Sequence, residues 1–84
     1  MQKLKNYSSK KILCIEDDKD TCDMLSFLLS EYDFTFVHSP EEAFPLIEKE
    51  DFDLYILDNW LPGISGIELC RKIRSLNPNV PILF

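Results

Sequence analysis

Four carboxylates stand where two apolar runs stop. Ile12-Leu13-Cys14-Ile15 ends in Glu16-Asp17-Asp18, and Leu54-Tyr55-Ile56-Leu57 ends in Asp58. Short, nearly continuous apolar runs suit strands buried on both faces, as in a parallel sheet. Sites in such sheets form just past the carboxyl ends of the strands, near a topological switch point. If these two strands are neighbours, three or four carboxylates converge on one rim. Like charges at close range disfavour joint ionisation. A divalent cation relieves that repulsion, and hard oxygen ligands favour Mg²⁺ with several waters retained. The acid triplet alone fits a solvated turn that caps a helix better than it fits a site. Asp58 at a second strand end moves the balance toward a site.

The elements that must position these acids can be read in order. After the first strand, Cys22, Leu25, Leu28 and Leu29 recur at helical spacing, with Asp18 or Asp20 as N-cap and an end near Glu31. Phe34 to His38 reads as a more exposed strand. Ser39-Pro40-Glu41-Glu42 opens a second helix, with Ser39 as cap, Pro40 in the first turn and Glu42 completing a capping box. Ala43, Phe44, Leu46 and Ile47 should face the core, while Pro45 should kink or shorten this helix. A loop with Pro62, Gly63 and Gly66 follows the third strand. Ser65-Gly66-Ile67-Glu68 starts a third helix carrying Ile67, Cys70, Ile73 and Leu76. Val80 to Phe84 reads as a fourth strand. The order β-α-β-α-β-α-β implies parallel strands with helices on both faces.

The 84 residues allow one small domain, with 45% apolar residues and a net charge of −6. That is too apolar for a disordered segment, and the charge argues against a nucleic-acid surface. No run of about 18 apolar residues exists, so no membrane-spanning helix is expected. Residues 1–10 read as a flexible leader without the apolar core of a secretory signal. Cys14, Cys22 and Cys70 have no metal-binding spacing and read as reduced thiols of a cytoplasmic protein. The Asp18-x-Asp20 spacing does not continue as a calcium loop, Gly63-Ile-Ser65-Gly66 is not a nucleophile elbow, and no glycine-rich phosphate loop is present. His38, the sole histidine, reads as a surface residue.

The residues Ile-Leu-Cys-Ile-Glu16-Asp17-Asp18 resemble the first strand of the response-regulator receiver domain of two-component signalling. Asp53-Leu-Tyr-Ile-Leu-Asp58-Asn-Trp60-Leu-Pro62-Gly63-Ile-Ser-Gly66 resembles its phosphorylation segment, and Val80-Pro81-Ile82-Leu83 its fourth strand. The resemblance implies a flavodoxin-like doubly wound α/β sheet with strand order 2-1-3-4. It implies Asp58 as phospho-acceptor from a sensor histidine kinase or phosphotransfer protein. It implies Asp17 as direct Mg²⁺ ligand, Glu16 as a ligand through water, and the Trp60 backbone carbonyl as a further ligand. The implied fold is incomplete: residues 11–84 make a partial receiver lacking the final α-β-α elements, with their phosphate-contacting hydroxyl and lysine. Weak or no stable phosphorylation of these 84 residues alone is therefore expected. The first helix should lie partly open, and the apolar fourth-strand edge should pair with a second copy. A non-phosphorylated interaction module is the alternative reading.

Overall fold

The computed structural model describes residues 10–58 and 66–84. The leader before residue 10, the loop holding Trp60, Pro62 and Gly63, and the Ser65 cap lie outside the described residues. Strands β1 (Lys11–Ile15), β2 (Asp33–Val37), β3 (Leu54–Leu57) and β4 (Ile82–Leu83) alternate with helices α1 (Lys19–Leu28), α2 (Pro40–Lys49) and α3 (Gly66–Leu76). All pairings are parallel, in the order β2-β1-β3-β4. This is the expected doubly wound, flavodoxin-like arrangement.

The sheet has two unequal faces. Leu13, Ile15, Val37, Tyr55 and Leu57 lie on one, packed into a single core with Ala43 and Ile47 of α2 and Leu69 and Ile73 of α3. Phe52 and Val80 belong to the same core. The other face carries Ile12, Cys14, Leu54, Ile56 and Leu83, which are neighbours by register. Ile12 and Cys14 are buried, but an open groove of about 510 Å³ runs over Ile12, Leu54, Ile56 and Leu83 to Leu29 and Tyr32. Of the apolar residues expected on α1, only Cys22 is buried, and Leu28 is exposed. The first helix is open on the side the sequence suggested.

Several local expectations are met and several differ: α1 ends at Leu28, short of the expected Glu31, and β4 is only Ile82–Leu83 of the expected Val80 to Phe84. Ser39 accepts from the Glu42 N–H at 3.3 Å, as a cap should. The Glu42 carboxylate, however, takes the His38 N–H at 2.9 Å, one residue outside the capping-box partner. Pro45 does not end α2, which runs on to Lys49. Its missing N–H would have served the Glu41 carbonyl, and both residues lie on the exposed face, where water can take that carbonyl. The buried residues of α3 are Leu69 and Ile73, not the whole Ile67-Cys70-Ile73-Leu76 stripe; Ile67 and Leu76 are exposed. A strict every-third-residue stripe drifts around a helix with 3.6 residues per turn, placing Ile67 and Leu76 about 180° apart. Only its middle can face the sheet.

Candidate functional site

The register of the sheet builds the site. Ile15 of β1 lies opposite Leu57 of β3, so the next residues, Glu16 and Asp58, emerge side by side on the carboxyl rim. The backbone continues the ladder there: the Asp58 N–H donates to the Ile15 carbonyl at 3.1 Å, and the Glu16 N–H to the Val37 carbonyl at 2.9 Å. Carboxylate oxygens of Glu16, Asp17 and Asp58 all lie within 4.8 Å of one another. Glu16 and Asp58 are half-buried and Asp17 is exposed. Three residues that the sequence singled out as a candidate metal centre are thus brought together. Trp60 lies outside the described residues.

Glu16 is held at several points. Its carboxylate accepts the Asp18 N–H at 3.2 Å, and its backbone carbonyl accepts the Cys22 thiol at 3.8 Å. Asp18, the fourth rim acid, is turned to other work. It is the N-cap of α1 and accepts from both the N–H and the hydroxyl of Thr21. The Thr21 and Cys22 contacts were not anticipated, although Asp18-x-x-Thr21 is a spacing at which a capping acid meets a hydroxyl.

Burial pushes the Glu16 carboxyl above its ordinary value of 4.5, and the charges of Asp58 and Asp17 add to the rise, against the lowering effect of the Asp18 N–H. The cluster is therefore electrostatically uneasy when empty of cations, which is the condition a divalent ion relieves. Three hard carboxylate donors, partly open to water, fit Mg²⁺. Burial also pushes the Cys14 thiol up to about 12, with Cys22, Glu16 and Asp58 contributing. Cys14 is a packing residue, not a nucleophile.

The raised Glu16 pKa sets a pH dependence. A carboxyl with a raised folded-state pKa contributes stability that is complete below its ordinary value of 4.5 and is lost as pH rises through the folded value. Without divalent cations, Glu16→Gln should melt above the wild type at pH 7, and the gap should close below pH ~4.5. Thermal melts in chelator across this range check it; a gap that widens on acidification contradicts it.

The sequence profile described as the response regulator receiver domain matches residues 12–84. The chain belongs to that family. It is 43% identical over 76 residues to the uncharacterized transcriptional regulatory protein YrkP of Bacillus subtilis (strain 168), an alignment covering 88% of this chain and 32% of that protein. The solved non-phosphorylated HemR receiver domain from Leptospira biflexa has a TM-score of 0.83 to this chain at 31% identity, covering 90% of this chain and 63% of that one. Response regulator TrrA from Thermotoga maritima, solved in complex with Mg²⁺-BeF, has a TM-score of 0.78 at 33% identity, covering 87% and 65%. The chain spans about a third of the length of the curated relatives it matches. Among the described residues no helix is long and apolar enough to cross a membrane.

Proposed function

We propose that this chain is the phospho-acceptor module of a two-component response regulator, with Asp58 as acceptor. The observation that carries the reading is the meeting of Glu16, Asp17 and Asp58 within 4.8 Å at the β1 and β3 carboxyl ends. The donor is a phosphohistidine on a sensor histidine kinase or phosphotransfer protein. An Asp58 carboxylate oxygen attacks the phosphorus, an O–P bond forms, and the N–P bond of the phosphohistidine breaks. The bond's electron pair returns to the imidazole, and Asp58 becomes an acyl phosphate. Glu16 and Asp17, with the Trp60 carbonyl implied by family resemblance, would hold Mg²⁺ beside Asp58. When bound, the ion supplies positive charge for the carboxylates and for the transferring phosphoryl oxygens. The chain's own part is positional: the β1–β3 register fixes Asp58 next to Glu16, and the first turn of α1 fixes Glu16. Support for a kinase partner comes from TrrA, solved in complex with histidine kinase ThkA. A cytoplasmic location follows from the same reading.

The test is acetyl phosphate labelling followed by peptide mass mapping. A Mg²⁺-dependent phosphoryl mass gain on the Asp58 peptide, absent in Asp58→Asn, is expected in the full-length gene product, and at most a weak one in these 84 residues alone. Labelling that persists in Asp58→Asn contradicts the assignment. No gain in the full-length gene product favours the second reading, an interaction module without phosphorylation. The groove and the exposed Phe27, Leu28, Leu83 and Phe84 support that alternative. In either case the β4 edge, at the end of the sheet among the described residues, is a template for pairing with a second copy. Sedimentation equilibrium should report dimers; a well-folded monomer at high concentration contradicts self-association.

A further inference from the structure

We propose that the open half of the sheet is the docking site for α1 of a second copy, so that two α1 helices lie side by side in one layer between two sheets. The inference goes beyond the phosphoryl reading and does not depend on it. Of α1, only Cys22 is buried, so that side faces the sheet. At about 100° per residue, Phe27 and Met24 stand roughly 140° and 200° around from Cys22, on the side turned away from the sheet. There a helix that meets only water should be polar. Instead Phe27 is 82% exposed and Met24 53% exposed, and Leu28, next to the groove-lining Leu29, is 62% exposed. Beside α1, on the same face of the sheet, runs the groove of about 510 Å³. Its floor crosses three strands, from Ile12 of β1 over Leu54 and Ile56 of β3 to Leu83 of β4. Strands about 4.8 Å apart make that floor roughly 10 Å wide, the diameter of one helix.

An apolar ridge and an apolar groove on one chain suit a twofold pair. An axis between the two sheets, parallel to the strands, sets α1 of each copy over the groove of the other, with Phe27 and Met24 on the groove floor. Charge fits the same arrangement. Lys10 lines the groove at the amino end of β1, and the register of β1 with β2 brings the chain leaving α1 to that end. The exposed Glu31 of one copy therefore comes level with Lys10 of the other. Lys10 forms none of the ion pairs seen among the described residues. The area suffices as well: Met24, Phe27, Leu28, Tyr32 and Leu83 expose roughly 600 Å² per copy, and the rest of the groove brings the contact near the ~800 Å² per partner of a specific interface. Backbone pairing at the β4 edge uses no residue of α1, so the two modes separate by experiment.

The experiment is sedimentation equilibrium of the 84-residue chain and of its Met24→Gln/Phe27→Gln double variant, from about 1 to about 300 µM. The wild type should dimerise with a Kd of ~10–100 µM, as suits an interface at the small end of the specific range. The double variant should dimerise at least about tenfold more weakly, because both anchors are lost from each groove. Its circular dichroism spectrum should be unchanged, since both side chains are exposed in the monomer and Gln is a good helix former. At about 1 µM, where both chains are monomers, the two should melt together. A photoreactive benzophenone side chain in place of Phe27 should cross-link to the other copy at Leu54, Ile56 or Leu83. A dimer as tight in the double variant as in the wild type is held by another surface and overturns the inference. So do cross-links confined to α1 of the other copy, and so does a wild type that stays monomeric throughout the concentration range.

Discussion

Leu13→Ala should remove most of the stability of this chain, a loss of about 3 to 5 kcal/mol. Leu13 is fully buried in the centre of β1, between β2 and β3, on the face covered by α2 and α3. Truncating it forfeits the transfer energy of the lost methyl groups and leaves a cavity that two flanking strands and two helices cannot all close around. A domain of this size has a total stability on the order of 5 kcal/mol, because small chains bury a smaller fraction of their surface. The variant should therefore be largely unfolded at 37 °C. Phe27→Ala is the control: Phe27 is larger but 82% exposed. Its loss should cost no more than about 0.5 kcal/mol. Urea denaturation followed by circular dichroism separates the two, and comparable losses would contradict the two-faced packing described here. The functional consequence is direct, since β1 carries Glu16 and Asp17 at its end.

Asp58→Asn should act in two opposed ways. It should end phosphoryl acceptance, because the amide is not the nucleophile that the carboxylate is. It should also stabilise the chain in chelator. Asp58 raises the Glu16 pKa by its charge, and the two acids belong to one cluster within 4.8 Å. At these separations, partly exposed and screened by salt, the relief is about 1 kcal/mol. For a domain of this size that is a rise in Tm of roughly 4 to 8 °C. An Asp58→Asn variant that melts below the wild type without divalent cations contradicts the repulsion. A variant that is both inactive and more stable is the signature of a residue kept for chemistry at a cost to the fold.

Much of this was legible from residue patterns, for physical reasons that differ from element to element. The β1 run announces itself because nearly all of it is buried, whereas in β3 only Tyr55 and Leu57 are buried and Leu54 and Ile56 line the groove; in both, the acids mark where burial ends. Order and register are another matter. Nothing in the two runs dictates that Ile15 should lie opposite Leu57; family resemblance supplied the strand order, and the structure supplied the register. The α3 misreading arose from taking an every-third-residue stripe as one face. The Leu69–Ile73 pair, four apart, is the face that packs. Glu42 was readable as a helix-start acid but not as a partner of His38, since a long side chain can reach either of two adjacent N–H groups. Asp18 was readable as a cap, but its tie to the Thr21 hydroxyl depends on a rotamer that spacing alone leaves open. Trp60, Pro62 and Gly63 lie outside the described residues, so the metal role of the Trp60 carbonyl rests on resemblance.

The central claim is that Glu16, Asp17 and Asp58 share one cation. The most direct measurement is the melting temperature of the wild-type chain as Mg²⁺ is raised, beside Asp17→Asn and Glu16→Gln. Binding to the folded state alone should add about 1.4 kcal/mol when Mg²⁺ reaches ten times its Kd, a rise of several degrees. Asp17→Asn should abolish the rise and Glu16→Gln should reduce it. A wild-type melting temperature that stays flat through millimolar Mg²⁺, or one that rises equally in Asp17→Asn, would contradict the claim.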